Sequence, residues 1–265
     1  MGCAKEKMRR SRRNGMYQFF VEDDQIGEDS IQIIGSDVNH IKNVLRMKPG
    51  EHVRISNQSG RDFLCSVETL SDDEVTLHIE KKDIPGTELP AKIYLFQGIP
   101  KGERMETVIE KTVELGVYEI IPVAMKYCVV KLDEKKAEKK VARWQEIARS
   151  AAKQSKRSII PKIHPLMSFK EAAEYAMQCD RRLVPYENEE GIAATAKAFE
   201  GLADVGSISV FIGPEGGFAK EEINALRADS QVISLGKRIL RTDTASITML
   251  SMLMMHLEMA QSTTE

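Results

Sequence analysis

From Met16 to about Asp83 the apolar residues fall in short runs, MYQFFV, SIQII, EHVRIS, DFLCSVE and EVTLHIE. Turn signals separate the later runs, NQSGR between Ser56 and Asp62 and SDDE after Leu70, so the pattern predicts strands. One helix interrupts them, SDVNHIKNVLR, with Ser36 as N-cap and Ile41, Val44 and Leu45 at helical spacing, ended by Lys48-Pro49-Gly50. Short strands with a single small helix predict a compact barrel over residues 16–83. The Pro and Gly of DIPGTELP mark a linker over residues 84–90.

After Pro90 the pattern changes to alternating strand and helix, which predicts an α/β domain over residues 91–265. IYLFQGI is a continuous apolar strand. Met105, Val108, Ile109 and Thr112 put one stripe on the helix GERMETVIEKTVELG, and VYEIIPVAM follows as the next strand of a buried parallel sheet. A long helix over residues 134–154 turns Ala137, Val141, Trp144, Ala148 and Ala151 inward and carries Lys135, Lys136, Lys139, Lys140, Arg143, Arg149 and Lys153 on its other faces. SIIPKI, RRLVPY, SISVFIG and QVISLG are further strands, with helices over about 169–178, 191–201 and 219–229, the first opened by the capping box of Ser168 and Glu171. The closing helix, 243–260, is apolar almost all round, with Met249, Leu250, Met252, Leu253, Met254, Met255 and Leu257, and must be buried.

With 265 residues, 42% of them hydrophobic, the chain can bury a core without metal or disulfide help. Cys3, Cys65, Cys128 and Cys179 form no C-x-x-C pair and the five histidines show no ligand spacing, which predicts a reduced, cytosolic, metal-free protein. The most apolar run, 247–257, is interrupted by Thr248, Ser251 and His256, so no membrane span is predicted. The leader, 1–15, has too little apolar content for a secretory signal and reads as a disordered basic arm or a start placed upstream of Met16. Net charge is only -2, but it is sorted: +5 over residues 1–15, -8 over 16–88, +7 over 89–165 and -6 over 166–265. One basic segment between two acidic ones fits either a localised nucleic-acid face or a solvated Lys-rich helix.

Two late strands run into unusual loops, IGPEGGF (212–218) and LGKRILR (235–241). Such loops lie at the carboxyl ends of parallel strands, where α/β proteins bind ligands, and their glycines let a ligand approach the main chain. No G-x-G-x-x-G follows the first strand of the α/β half and no G-x-x-x-x-G-K-[ST] occurs, which argues against a dinucleotide or nucleoside triphosphate.

KGERMETVIEKTVELGV (101–117), QSKR (154–157), IGPEGGF and LGKRILRTDTA (235–245), with HIKNVLRMKPGE (40–51), resemble the ribosomal RNA small subunit methyltransferase E family, the bacterial 16S rRNA uridine N3-methyltransferases of the SPOUT superfamily. The resemblance runs from Met16 to the end of the chain. It implies an N-terminal PUA-like β-barrel, a C-terminal SPOUT α/β trefoil knot built on a parallel sheet, S-adenosylmethionine as methyl donor without a metal, and a cytoplasmic homodimer acting on 16S rRNA or the small ribosomal subunit. Two positions depart from the family pattern: Asp243 stands where Glu is usual, and Lys156 where Gly is common.

Carried over residue by residue, the resemblance assigns cofactor binding to Pro185, Tyr186, Gly213, Glu215, Gly217, Leu235, Gly236, Ile239 and Leu240. Arg241 suits stabilisation of a uridine anion, Glu215 and Asp243 are the nearby carboxylates for proton transfer, and Asp243 also reads as N-cap of the last helix. Core burial is the alternative for Ile239 and Leu240. His40, Arg46, Lys101, Arg104 and Arg157 are the candidate RNA contacts, with the basic helix and Arg61. A catalytically silent RNA-binding protein and a tRNA methyltransferase are the competing functions, the first disfavoured by the intact glycine loops and the second by the barrel motif.

Overall fold

The computed structural model describes residues 16–58, 62–189 and 191–262, so the leader 1–15 and Arg61 lie outside the described residues. The described residues form two compact units. One runs to Glu88 and also takes in Lys156–Ile160; the other comprises Leu89–Ser155 and Pro161 onward.

The first unit is a five-stranded sheet of β1 (Tyr17–Phe20), β2 (Ser30–Ile34), β3 (His52–Ser56), β4 (Asp62–Leu70) and β5 (Glu74–Ile84), in the order β1-β3-β4-β5-β2. β1 and β3 are parallel and the other pairs antiparallel. Alternation in β2 and β3 turns Ile31, Ile33, Val53 and Ile55 into one core with Phe19, Val38, Ile41, Val75 and Leu77. The helix differs from its sequence reading. Its α-helical part, α1, is only Ser36–Asn39, with Gly35 at φ +72° as N-cap in place of Ser36. A π-turn, His40–Val44, continues it, Leu45 N–H reaching His40 O at 2.9 Å. The wider turn keeps Ile41 fully buried but swings Val44 out to 61% exposure. Arg46, at φ +53°, ends the element ahead of the expected Lys48-Pro49-Gly50 stop.

Residues 156–160 complete this unit from far along the chain. Gln18 Nε2 donates to the Arg157 carbonyl and Ser56 Oγ to that of Ser158. Ser158 Oγ donates to Asp62 Oδ2 at 2.6 Å, where Arg54 Nε also donates at 2.8 Å. Arg157 is 3% exposed and its guanidinium is paired with Glu88, whose Oε1 also accepts from Ser158 N–H at 2.8 Å. This separates Ser158 to Ile160 from the expected strand SIIPKI, of which only Lys162–Ile163 is strand. Lys156 opens the segment at φ +63°, the left-handed region that favours glycine, and its carbonyl accepts from Thr87 Oγ1 at 2.8 Å. Left-handed backbone costs a side chain about 1–2 kcal/mol, and glycine's extra unfolded-state freedom returns about 0.4–1 kcal/mol of that. Lys156→Gly should therefore raise stability by about 0.5–1 kcal/mol in urea unfolding; an unchanged or lower midpoint would mean that the Lys156 side chain offsets its own strain.

The second unit is a parallel sheet of β6 (Lys92–Gly98), β7 (Glu119–Ala124), β8 (Lys162–Ile163), β9 (Met167–Ser168), β10 (Arg181–Pro185), β11 (Ser207–Ile212) and β12 (Gln231–Ile233). The order is β12-β10-β11-β6-β7-β8, with β9 also paired to β7. The central strands β6 and β11 are buried almost throughout, Phe96 stacking on Phe211 with centroids 4.4 Å apart, as expected of a sheet covered on both faces. The helices are α2 (Arg104–Glu114), α3 (Glu134–Ser155), α4 (Phe169–Ala176), α5 (Ile192–Phe199), α6 (Lys220–Arg227) and α7 (Thr242–Ser262). Ser168 caps α4 and forms the expected box with Glu171. α7 buries Met249, Leu250, Leu253 and Leu257, whereas Met255 and Met259 are 52% and 63% exposed, so burial of this apolar helix within the chain is one-sided.

At the amino end of β7, Glu119 Oε2 lies 2.6 Å from His164 Nε2 and accepts from Tyr175 Oη at 3.0 Å. Burial pushes the Glu119 carboxyl up, but His164, Tyr175 and Lys162 outweigh it and leave the carboxyl below its ordinary value of 4.5. A carboxyl depressed in the folded state stabilises above its unfolded pKa and loses that contribution as pH falls through the folded value. Melting temperature should thus fall below pH 4.5 more steeply in the native protein than in Glu119→Gln, and parallel acid limbs would remove Glu119 from the acid response.

Candidate functional site

Three neighbouring strands, β12, β10 and β11, end on one side of the sheet, and their following loops enclose a cavity of about 510 Å³. Pro185 and Tyr186 come from the end of β10. Gly213, Glu215 and Gly217 come from the loop after β11, and Leu235, Gly236, Ile239 and Leu240 from the loop after β12; all nine line the cavity, as does Arg241. Ten further residues line it to which the sequence reading gave no role, among them Glu187, Ser234, Thr242 and Ala245, which carry no glycine signature.

The floor of the cavity is bare main chain. Gly217 has φ +69° and Gly236 φ +111°, conformations that L side chains rarely adopt. A Cβ on Gly213 would lie 3.2 Å from the carbonyl carbon of Gly217, and one on Gly216 only 2.7 Å from Tyr127 Cβ, so the loop closes tightly on itself and its neighbour. A buried polar chain holds it in place. Thr242 Oγ1 donates to Gly213 O at 2.7 Å and accepts from Gln97 Nε2 at 2.9 Å, and Ser246 Oγ donates to Gln97 Oε1. Gln97 and Ser246 are fully buried and Thr242 is 5% exposed, so each group depends on the others for satisfaction. On the β12 side, Thr195 Oγ1 of α5 donates to Ser234 O at 2.7 Å.

The three sequence-predicted reactive residues differ in their surroundings. Glu215 Oε1 accepts from Lys101 N–H at 3.0 Å and from the Arg104 guanidinium. Burial pushes its carboxyl up, but the Lys101 amide, its own amide and Arg104 outweigh this and hold it below the usual carboxylate range. Such a group is a weak base and a good loop anchor. Asp243 lies inside the first turn of α7, which starts at Thr242, and so is not its N-cap; its Oδ1 is buried and has no partner among the described residues. The Arg241 side chain is exposed at the cavity and makes no ion pair with Asp243. Ile239 is 88% exposed, which excludes core burial for it.

The candidate RNA contacts also separate. Lys101 is exposed beside the cavity loop, while Arg104 is engaged by Glu215. His40 and Arg46 are exposed on the first unit, His40 edge-on to Phe19 with centroids 6.3 Å apart. Arg157 is not presented to solvent: its guanidinium is buried against Glu88. On α3, Lys135, Lys139 and Arg149 are exposed, Arg143 pairs with Glu106 at 2.9 Å, and Lys140 lies over Trp144 at 5.7 Å. Among the described residues no three His, Cys, Asp or Glu side chains are grouped to hold a metal, and no helix is long and apolar enough to cross a membrane.

Residues 87–254 match the family model of the RNA methyltransferase domain, and residues 33–80 that of the RNA methyltransferase PUA domain. The ribosomal RNA small subunit methyltransferase E of Bacillus subtilis is 37% identical over 243 residues, 89% of this chain and 95% of that protein. Its counterpart from Mesomycoplasma hyopneumoniae is 35% identical over 246 residues, 89% of this chain and 98% of that one. The crystal structure of the Neisseria gonorrhoeae enzyme of the same name, bound to S-adenosyl methionine, superposes with a TM-score of 0.76 at 30% identity, covering 91% of this chain and 98% of that one. With an N-terminal PUA unit, a parallel-sheet α/β unit carrying the cavity, and relatives matched over nearly their whole length, this chain belongs to the ribosomal RNA small subunit methyltransferase E family.

Proposed function

We propose that this chain transfers a methyl group from S-adenosylmethionine to N3 of a specific uridine in 16S ribosomal RNA, in the cytoplasm, on the RNA or on the small ribosomal subunit. The observation that carries the reading is the cavity, where two backbone-rich loops and the end of β10 surround about 510 Å³, a volume suited to a nucleoside-sized ligand. Its residues fit the cofactor. Leu235, Ile239 and Leu240 offer an apolar slot for adenine, and Pro185, Tyr186, Gly213, Gly217 and Gly236 offer main-chain groups that a ligand can approach. When bound, S-adenosylmethionine supplies an electrophilic methyl group on a positively charged sulfur.

Uridine N3 carries a proton at neutral pH and is a poor nucleophile until that proton leaves. The protein must therefore hold the base and stabilise the negative charge it gains. Arg241, always charged and rich in donors, takes that second task. Glu215, already occupied by Lys101 and Arg104, orders the loop; Asp243, one residue past Thr242 of the cavity wall but not itself lining the cavity, is the other carboxylate of the sequence reading for the departing proton. Lys101 and the exposed lysines of α3 meet phosphates, and His40 and Arg46 dock the PUA unit on the RNA, a unit whose net charge of -8 over residues 16–88 leaves it few, local contacts. A second copy of the chain covers Met255 and Met259 of α7, giving a homodimer, and the C-terminal unit is the trefoil knot that the family resemblance implies. Mass mapping of 16S rRNA from cells with and without this gene tests the reaction: one N3-methyluridine should vanish with the gene. An unchanged methylation map would overturn the proposal.

A further inference from the structure

Two carboxylates line the cavity, Glu215 and Glu187. Glu215 is neutralised by Arg104 and the Lys101 amide. Glu187 is exposed to the cavity, and neither a hydrogen bond nor an ion pair engages its carboxylate among the described residues. It follows β10, which is hydrogen-bonded between β12 and β11, so it stands midway between the apolar slot of the β12 loop and the glycine loop after β11. Its Oε1 comes over the bare Cα of Gly217, where a Cβ would be only 2.5 Å away. The β11 loop lacks a side chain at the very position this carboxylate occupies.

We infer that Glu187 binds the vicinal hydroxyls of the cofactor's ribose. This rests on the reading of the cavity as a nucleoside-cofactor site. With adenine in the slot of Leu235, Ile239 and Leu240 at one end, the sugar falls at the middle of the cavity, where Glu187 stands. An ionised carboxylate only accepts hydrogen bonds, and its two oxygens match two adjacent hydroxyl donors. Acidic side chains hold ribose hydroxyls in the same way at other strand ends of α/β sheets.

Calorimetry on the full chain tests the inference with four probes: S-adenosylmethionine, S-adenosylhomocysteine, methylthioadenosine and 2′-deoxy-methylthioadenosine. Glu187→Gln should weaken the three ribose-bearing ligands by similar factors, about tenfold for a hydrogen bond to a charged group. It should weaken the deoxy ligand, which keeps only one of the two hydroxyls and is already weaker on the native protein, by a smaller factor. Loss confined to S-adenosylmethionine would overturn the inference, because the carboxylate would then be facing the sulfonium charge. Equal affinities in native protein and variant would overturn it as well, with the cofactor reading intact. Failure of the native protein to bind any of the four would remove the cofactor reading and this inference together.

Discussion

Gly217→Val should lose S-adenosylmethionine binding by about ten- to a hundredfold in calorimetry while the protein remains folded. Two effects converge at this position. At φ +69° a β-branched residue is a backbone outlier, costing on the order of 1–3 kcal/mol, and a Cβ there would sit 2.5 Å from Glu187 Oε1. The exposed Glu187 side chain can swing away from the Cβ, but the backbone strain is relieved only by leaving the conformation in which Gly217 N–H meets Pro214 O at 2.9 Å, and affinity drops with the population of the competent conformer. Gly50→Val is the control. Gly50 has φ +85° with nothing within 4 Å of its Cβ position, so it should lower stability without touching cofactor affinity. Native affinity in Gly217→Val would mean that the loop is not the cofactor's floor.

The sequence made this loop legible because glycine spacing is a local signal, and the same holds for the β12 loop and the long apolar strands β6 and β11. What stayed hidden depends on pairing across long separations. Nothing near Glu215 foretells that its oxygen is taken by Arg104, 111 residues earlier, so it read as a free carboxylate beside Asp243. Nor does QSKR disclose that Arg157 is buried against Glu88, 69 residues back, when its neighbours are basic and exposed. The π-turn at His40–Val44 escaped for a different reason: Ile41, Val44 and Leu45 satisfy helical spacing equally well, and the extra residue per turn that exposes Val44 leaves no mark on composition. Lys156 is the instructive case between these. The resemblance implies that glycine is common at this position, but only the backbone angle of +63° shows that Lys156 has a conformation that favours it.

Arg241→Ala should lower the single-turnover methyl-transfer rate on the order of a hundredfold at saturating RNA and cofactor, the scale of losing one preorganised donor, with little change in cofactor affinity. A purely structural role would need partners, and the geometry offers few. The side chain is exposed at the cavity and Asp243 Oδ1 is left without a partner, so no Arg241–Asp243 pair fixes the start of α7. What Arg241 contributes to folding comes through its main chain, whose carbonyl accepts from Ala245 N–H at 2.8 Å, and alanine keeps that bond. The variant should therefore melt close to the native protein. Arg241→Lys retains the charge and loses the planar fork of donors, so a rate between those of Arg and Ala would say that both charge and hydrogen-bond geometry act on the base. If Arg241→Ala instead turns over at the native rate, stabilisation of the uridine anion belongs to another group, and Lys237 and Arg238, the other cations lining the cavity, become the residues to replace.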